Sequence, residues 1–131
     1  MTADDLSKIY GVPVVSACVW HTTIDGMKTY SEANQREHWA RKNARVNEQK
    51  RRVFMALSGA SFRAYIKTPP RLVKIIRIGK RNLDSDNLAS AFKATRDQVA
   101  ASLGINDGSP STAWAYGQER GPVGVRIEFW R

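Results

Sequence analysis

The stretch "RLVKIIRIGKRNLDSDNLASAFKATRDQVAASLG", residues 71–104, places a strand directly before a helix. Its first part, Arg71 to Ile78, is rich in β-branched residues and follows two prolines, which is typical of a strand. From Asp86 onward apolar residues recur every three to four positions, and Gly104 is a typical residue just past the end of a helix. The stretch therefore predicts a β-α unit within an α/β domain.

The two faces of this predicted helix differ in polarity. We expect its apolar face to pack on the sheet, and that face consists of Leu88, Ala91, Phe92, Thr95, Val99 and Leu103. The opposite face begins with an aspartate at the positive end of the helix dipole. It consists of Asp86, Ser90, Lys93 and Asp97.

Upstream, the sequence predicts one strand and one long helix. Residues 12–21 are rich in Val and aromatics and indicate a strand, with a turn at Asp25 and Gly26. Residues 31–57 have a helical pattern that Gly59 would end. One edge of this helix should pack in the core through Trp39, Val46, Val53 and Leu57.

The remaining segments complete a small α/β domain. Residues 61–67 are a candidate further strand, and residues 111–118 and 123–130 alternate in period two around a turn, which predicts a terminal hairpin. The predicted order is β-α-β-α-β-β, a mixed sheet with two main helices. At 131 residues the chain corresponds to one domain, residues 1–131.

The composition favours a globular protein of the cytoplasm. Hydrophobic residues make up 42% and charged residues 25% of the chain, and no apolar run approaches the roughly 20 residues of a membrane span. Neither a signal peptide nor a membrane partner is expected. The single cysteine, Cys18, lies in an apolar stretch and can form no internal disulfide, so we expect a small core residue in a reducing compartment.

The net charge of +9 is concentrated in two segments. Residues 36–52 hold seven Lys/Arg and two acids, and residues 63–81 hold seven Lys/Arg and no acid. Such a surface attracts polyanions, which makes nucleic acid the first partner to consider. A solvated basic helix face is an equal alternative for the first segment.

Against this background the aspartates need an explanation. One of Asp84 and Asp86 could cap the helix, and Asp107 in "NDG" could serve a turn. A second carboxylate next to the first is unfavourable unless a cation neutralises it. A Mg²⁺ or Mn²⁺ ion held by all three, leaving room for water and a substrate phosphate, accounts for the whole set.

These residues carry a resemblance. The segment 83–108, with Asp-x-Asp-Asn opening a helix and a further Asp beyond its end, resembles the RusA-like family of Holliday junction resolvases, often carried by phages and prophages. Residues 34–42, "NQREHWARK", are similar to the start of the first helix in phage-type members. The resemblance implies a homodimeric, Mg²⁺-dependent endonuclease that nicks branched DNA, with a four-way junction as substrate and no small-molecule substrate.

Carried over by position, the resemblance assigns the metal to Asp84, Asp86 and Asp107, and Asn87 completes the motif. Two departures stand out. The family's essential lysine falls at Ser90, so Lys93, one turn further along, is the candidate substitute. Where well-known members carry two aspartates after the helix, this chain has Asn106 and Asp107.

Under this hypothesis two groups of residues contact DNA. Lys80 and Arg81, just before the acids, are candidates to hold the phosphate backbone, although they could instead offset the repulsion between the acids. A second surface consists of Asn34, Arg36, His38, Arg41, Lys42 and Arg45. For His38 a surface position without a chemical role is favoured. The alternative function is a non-catalytic nucleic-acid-binding protein in which Asp84 and Asp86 only cap the helix.

Overall fold

The computed structural model describes residues 17–29, 39–83, 85–106 and 108–131. Its strands are β1 (Cys18–Asp25), β2 (Leu72–Gly79), β3 (Ala113–Arg120) and β4 (Gly124–Trp130). Its helices are α1 (Trp39–Ala56), α2 (Ala60–Tyr65), α3 (Ser85–Ala91) and α4 (Lys93–Leu103). The predicted small α/β domain with a mixed sheet is confirmed, with four helical segments rather than two.

The four strands form one sheet in the order β1-β4-β2-β3. Strand β4 is antiparallel to both β1 and β2, whereas β2 and β3 are parallel. Alternate residues of the two central strands are fully buried, and these are Val73, Ile75, Val125, Ile127 and Phe129. The core therefore lies between one sheet face and the helices.

The prediction of a terminal hairpin is wrong, because β2 lies between β3 and β4. The three residues that join them pass around the end of β2, where the Gly121 amide donates to the Gly79 carbonyl at 3.2 Å. Strands two positions apart are separated by about 10 Å, which so short a link can span. The apolar strand β4 takes the central position, and the more polar β3 becomes an edge.

Residues 61–67 form no strand, and most of them belong to helix α2. Phe62 is buried and Ile66 is partly buried, a spacing of four that suits a helix, whereas Ala64 between them is exposed. The Phe62 ring meets Trp20 of β1 edge to face at 5.2 Å, and the Trp20 indole donates to Ser61 Oγ at 2.8 Å. This packing against β1 selects the helical conformation.

The long first helix is confirmed from Trp39 to Ala56, and residues 31–38 lie outside the described residues. Its core contribution lies in the second half, where Val53 is buried and is followed by buried Leu57. Trp39 is 70% exposed, which corrects the prediction that it packs in the core. All described residues of α1 before Arg45 are exposed, so the start of this helix contributes nothing to the core.

The predicted helix over residues 86–103 consists of two segments that meet at Phe92. Phe92 has φ −94° and ψ 4°, its amide is shared between the carbonyls of Leu88 and Ala89, and its side chain is fully buried. The apolar face packs as predicted, and Gly104 ends α4 with φ 71°. Its left-handed conformation is one that glycine adopts without strain.

Two smaller expectations concern Cys18 and the membrane. Cys18 is a free, half-buried cysteine whose thiol donates to the Trp20 carbonyl at 3.5 Å, and burial raises its pKa. The start of the predicted strand at residues 12–16 lies outside the described residues, and β1 runs further, to Asp25. Among the helices of the described ranges, none is long and apolar enough to cross a membrane.

Candidate nucleic-acid interface and carboxylate motif

Three strands end at the same edge of the sheet. Strands β1, β2 and β3 run in one direction, so Asp25, Gly79 and Arg120 mark a common carboxyl end. Helix α3, which carries the Asp-x-Asp-Asn motif, starts at Ser85 after the chain has left this edge at the end of β2. The carboxyl ends of parallel strands are where α/β sheets usually bind ligands.

The aspartates themselves are only partly within the described structure. Asp84 and Asp107 lie outside the described residues, and Asp86 belongs to the first turn of α3. No three His, Cys, Asp or Glu side chains form a metal-binding group among the described residues, a set that omits those two aspartates. The magnesium site therefore stays a prediction. Asn87 is half-buried, and its carbonyl accepts a hydrogen bond from Ser90 Oγ at 3.2 Å.

The residue directly before Asp84 is fixed by a side chain that the sequence did not single out. The Leu83 amide donates to Gln118 Oε1, and Gln118 Nε2 donates to the Leu83 carbonyl, both at 2.7 Å. Gln118 belongs to β3 and is separated from Leu83 by 35 positions in the chain. This amide-to-peptide clamp attaches the start of the acid motif to the sheet. No local sequence signal could have revealed it.

Beyond α4, Asn106 accepts hydrogen bonds from residues that follow it. The Gly108 amide donates to Asn106 Oδ1 at 2.9 Å, and the Ser109 amide donates to the Asn106 carbonyl at 2.9 Å. Further along, Thr112 Oγ1 donates to the Pro70 carbonyl at 2.7 Å and ties the segment to the start of β2. Asn106 thus supplies a side chain that closes a turn after α4. Asp107 itself lies outside the described residues, so its assignment to a turn stays a prediction.

Lys93 opens α4 and points along the outer face of that helix. Its side chain is 77% exposed, and its Nζ lies 3.4 Å from Asp97 Oδ2. An exposed pair of this kind contributes about 0–1 kcal/mol, so it holds the ammonium weakly. Lys93 shares a groove of about 420 Å³ with Ser90, the position at which the resemblance would place a lysine. The two positions therefore give access to the same space.

The basic face of α1 is only partly described, since Asn34, Arg36 and His38 lie outside the described residues. Arg41 and Lys42 are exposed. Arg45 is half-buried and lines a pocket of about 420 Å³ between α1 and the segment after β1. We call this the α1 pocket, and it is also lined by Gly26, Met27, Lys28, Glu48, Gln49 and Arg52.

Lys80 and Arg81 border a second pocket, of about 320 Å³, at the end of β2. We call it the cationic groove, and it is lined by Lys28, Thr29, Arg77, Ile78, Gly79, Lys80, Arg81 and Val123. No acidic residue is among these lining residues. Sequence analysis missed Lys28 and Arg77. The sequence did carry a signal for Arg77. This residue follows Val73 and Ile75 at a spacing of two, so it lies on the core-facing side of β2. A charged residue at such a position indicates the edge of the core.

Three glutamates elsewhere are paired with other cations. On the sheet face away from the helices, Arg126 donates to Glu128 Oε2 at 2.9 Å and through two nitrogens to Glu119. These bonds lower the pKa of the Glu119 carboxyl and raise the pKa of Arg126. Glu48 pairs with Arg51 at 2.7 Å. The charge of the cationic groove is therefore not offset by the acids of these pairs.

Comparison with known proteins gave no match: no family model, no curated protein and no solved structure matches this sequence at a significant level.

Proposed function

We propose that this protein is a Mg²⁺-dependent endonuclease that nicks branched DNA such as a four-way junction. One observation carries the proposal. The cationic groove lies at the end of β2, and the chain runs from it through Leu83, held by Gln118, into the Asp-x-Asp-Asn motif. A phosphate-attracting surface thus leads directly into a motif of hard oxygen donors, the combination that phosphodiester hydrolysis needs.

Each residue has a role in this proposal. Asp84, Asp86 and Asp107 hold the metal, and their carboxylates are the donor type that Mg²⁺ prefers. When bound, the ion supplies Lewis-acid stabilisation and a bound water at the scissile phosphate. Lys80 and Arg81 hold the DNA backbone, and Lys93 stabilises negative charge that develops during cleavage. Further backbone contacts come from Asn34, Arg36, His38, Arg41, Lys42, Arg45 and Asn87.

Substrate selection in this proposal depends on shape. Lysine and arginine contacts with phosphates position DNA but carry little sequence information. A homodimer with two-fold symmetry would present two equivalent sites, which suits paired nicks on opposing strands of a junction.

The test is cleavage of a labelled synthetic four-way junction beside a linear duplex of matched sequence, with Mg²⁺ or with chelator. We expect paired nicks in the junction that require Mg²⁺ and are lost in Asp86→Asn, whereas Asp86→Asn still binds the junction. Glu119→Gln is the matched control, because it removes a carboxylate on the sheet face away from the helices and outside the motif, and it should cleave normally.

A second candidate, a nucleic-acid-binding protein without catalysis, is favoured by the absence of acids along the cationic groove among the described residues. Such a protein would bind the junction equally well in chelator and would tolerate Asp107→Asn. Tight binding by the wild type without any cleavage in Mg²⁺ or Mn²⁺ would select this function and exclude the nuclease.

A further inference from the structure

The cationic groove contains an arginine whose head group is held in place. Arg77 Nη1 donates to the Arg81 carbonyl, which folds the guanidinium back over the end of β2. There it lies against Gly79, because a Cβ added to Gly79 would be 3.1 Å from Arg77 Nη1 and 3.2 Å from Nη2. The absence of a side chain at Gly79 therefore makes room for the guanidinium.

The groove retains hydrogen-bonding capacity that the protein does not use. In the described part of the chain, Arg77 forms no ion pair, and neither its buried Nε nor the buried hydroxyl of Thr29 has a hydrogen-bond partner. Buried donors without partners are costly, so their presence beside a cationic pocket indicates that a ligand completes them. That ligand is an anion with several acceptor oxygens, because every charged lining residue is a cation.

We propose that the cationic groove binds one phosphodiester group of the DNA backbone, with Arg77 as its main donor and Thr29 and Lys28 beside it. A guanidinium presents parallel N–H groups that match two phosphate oxygens. This inference rests on the proposed function and adds to it the place where the DNA strand is anchored next to the acid motif. The register of β2 and β3 pairs Arg77 with Gln118, which clamps Leu83 before Asp84.

An extended polyanion fits better than a small free anion. Lys28 lines both the cationic groove and the α1 pocket, so the two depressions adjoin each other. The α1 pocket adds Arg45 and Arg52, and Arg52 is held by a 2.6 Å hydrogen bond to the Asp25 carbonyl. A strand seated at Arg77 could therefore continue towards the basic face of α1.

The experiment measures binding of a labelled four-way junction in chelator, where no cleavage occurs, over a series of salt concentrations. We expect Arg77→Gln to bind about tenfold more weakly at low salt and to lower the slope of log K against log salt by about one. Gly79→Ala should weaken binding in the same direction, because its methyl group displaces the guanidinium. Arg77→Lys should keep the slope and lose part of the affinity, since the charge remains but the paired donors do not.

The matched control is Arg63→Gln, which removes an exposed arginine of α2, the helix that packs on β1 through Trp20 and Phe62. Its affinity should stay within twofold of the wild type. Thermal unfolding of each variant separates a folding defect from lost binding. The groove assignment would be overturned if the Arg77→Gln and Gly79→Ala variants fold and bind the junction as well as Arg63→Gln does. This holds even if the wild type cleaves junctions. Junction binding that depends on Arg77 supports it, even if no cleavage occurs and the nuclease proposal fails.

Discussion

At the scale of single residues, the Gln118 side chain connects the sheet to the acid motif. It satisfies both the amide and the carbonyl of Leu83, the residue before Asp84. A backbone fixed at this point restricts where the next carboxylate can lie, and preorganised ligands bind metal more tightly than mobile ones. Gln118 is therefore a positioning residue of the proposed site.

We predict that Gln118→Ala lowers the rate of junction cleavage about tenfold or more and raises the Mg²⁺ concentration needed for half-maximal activity. Binding of the junction in chelator should be unchanged, because Gln118 is not a lining residue of the cationic groove. A Mg²⁺ titration of the cleavage rate measures both effects. The control is Gln98→Ala, whose amide donates to Ser102 on the same helix. If Gln118→Ala and the wild type needed the same Mg²⁺ concentration for half-maximal activity, the positioning role of Gln118 would be contradicted.

Lys93 is the second residue whose role can be decided directly. Lys93→Ala should lower the cleavage rate on the order of a hundredfold, the usual cost of one charge-stabilising donor, and should leave junction binding nearly unchanged. Because Ser90 opens into the same groove, the double variant Ser90→Lys with Lys93→Ala should recover part of the rate. Single-turnover cleavage with enzyme in excess measures these rates.

Lys67→Ala, which removes an exposed lysine before β2, is the control for loss of charge. Full cleavage activity in Lys93→Ala would show that Lys93 has no part in cleavage and only forms its exposed ion pair with Asp97.

At the scale of elements, the end of α4 depends on one backbone conformation. Gly104 has φ 71°, and its amide donates to the Ala101 carbonyl at 3.1 Å, while the Ile105 amide donates to the Ala100 carbonyl at 3.0 Å. This is the usual glycine termination of a helix, and here it turns the chain towards Asn106.

We predict that Gly104→Ala lowers the free energy of unfolding by about 1 kcal/mol, because an L side chain is strained at this φ. Gly117→Ala is the matched control, since Gly117 lies in strand β3 without a positive φ, and an added Cβ would be 3.6 Å from the Ile76 side chain, an ordinary contact. That variant should be neutral or slightly stabilising. Urea unfolding compares the two, and an equal effect of both substitutions would show that the left-handed conformation carries no cost.

At the scale of the whole molecule, one ion-pair network joins strands that are not neighbours. Arg126 on β4 reaches Glu119 on β3 across β2 and also bonds to Glu128. The Arg126 guanidinium holds the pKa of the Glu119 carboxyl below its usual range. This interaction helps to fix the chain on both sides of the three-residue link between β3 and β4.

The pH dependence of stability follows from that pKa. A carboxyl with a lower pKa in the folded state contributes stability that is complete above its unfolded pKa of about 4.3 and is lost as the pH falls through the folded value. We therefore expect Glu119→Gln to be less stable than the wild type at pH 7, and the difference to be smaller at pH 3. Urea unfolding at both pH values measures the difference. A difference that stays constant with pH would contradict the role of the ionised carboxylate.

Several features of the molecule could be predicted because their physical causes are local. The turn at Asp25 and Gly26, the strand after Pro70 and the end of α4 at Gly104 all follow from interactions within a few residues. The apolar face of α3 and α4 also follows, because its spacing is a property of the sequence itself. The acid motif and the basic segments were visible for the same reason.

Other features were decided by contacts between distant parts of the chain. The alternation of polar and apolar residues in β3 and β4 identified two strands. Their order in the sheet was set by which strands occupy its centre. As a result β4 pairs with β2, and not with β3 as in the predicted hairpin. Trp39 has the apolar character of a core residue, yet its location in the first turn of α1 leaves it exposed. Periodicity describes which face of an element is apolar and contains no information on what lies opposite that face.

The sequence by itself determined most of the strands and helices and the α/β class, and it indicated candidate residues for metal and phosphate. Only the tertiary structure brought Gln118 to Leu83 and Lys28 to the groove beside Arg77. The physical reason is that secondary structure, caps and turns depend on neighbours in the chain. The site depends on the sheet register and on the passage of the chain around β2, which join residues far apart in sequence.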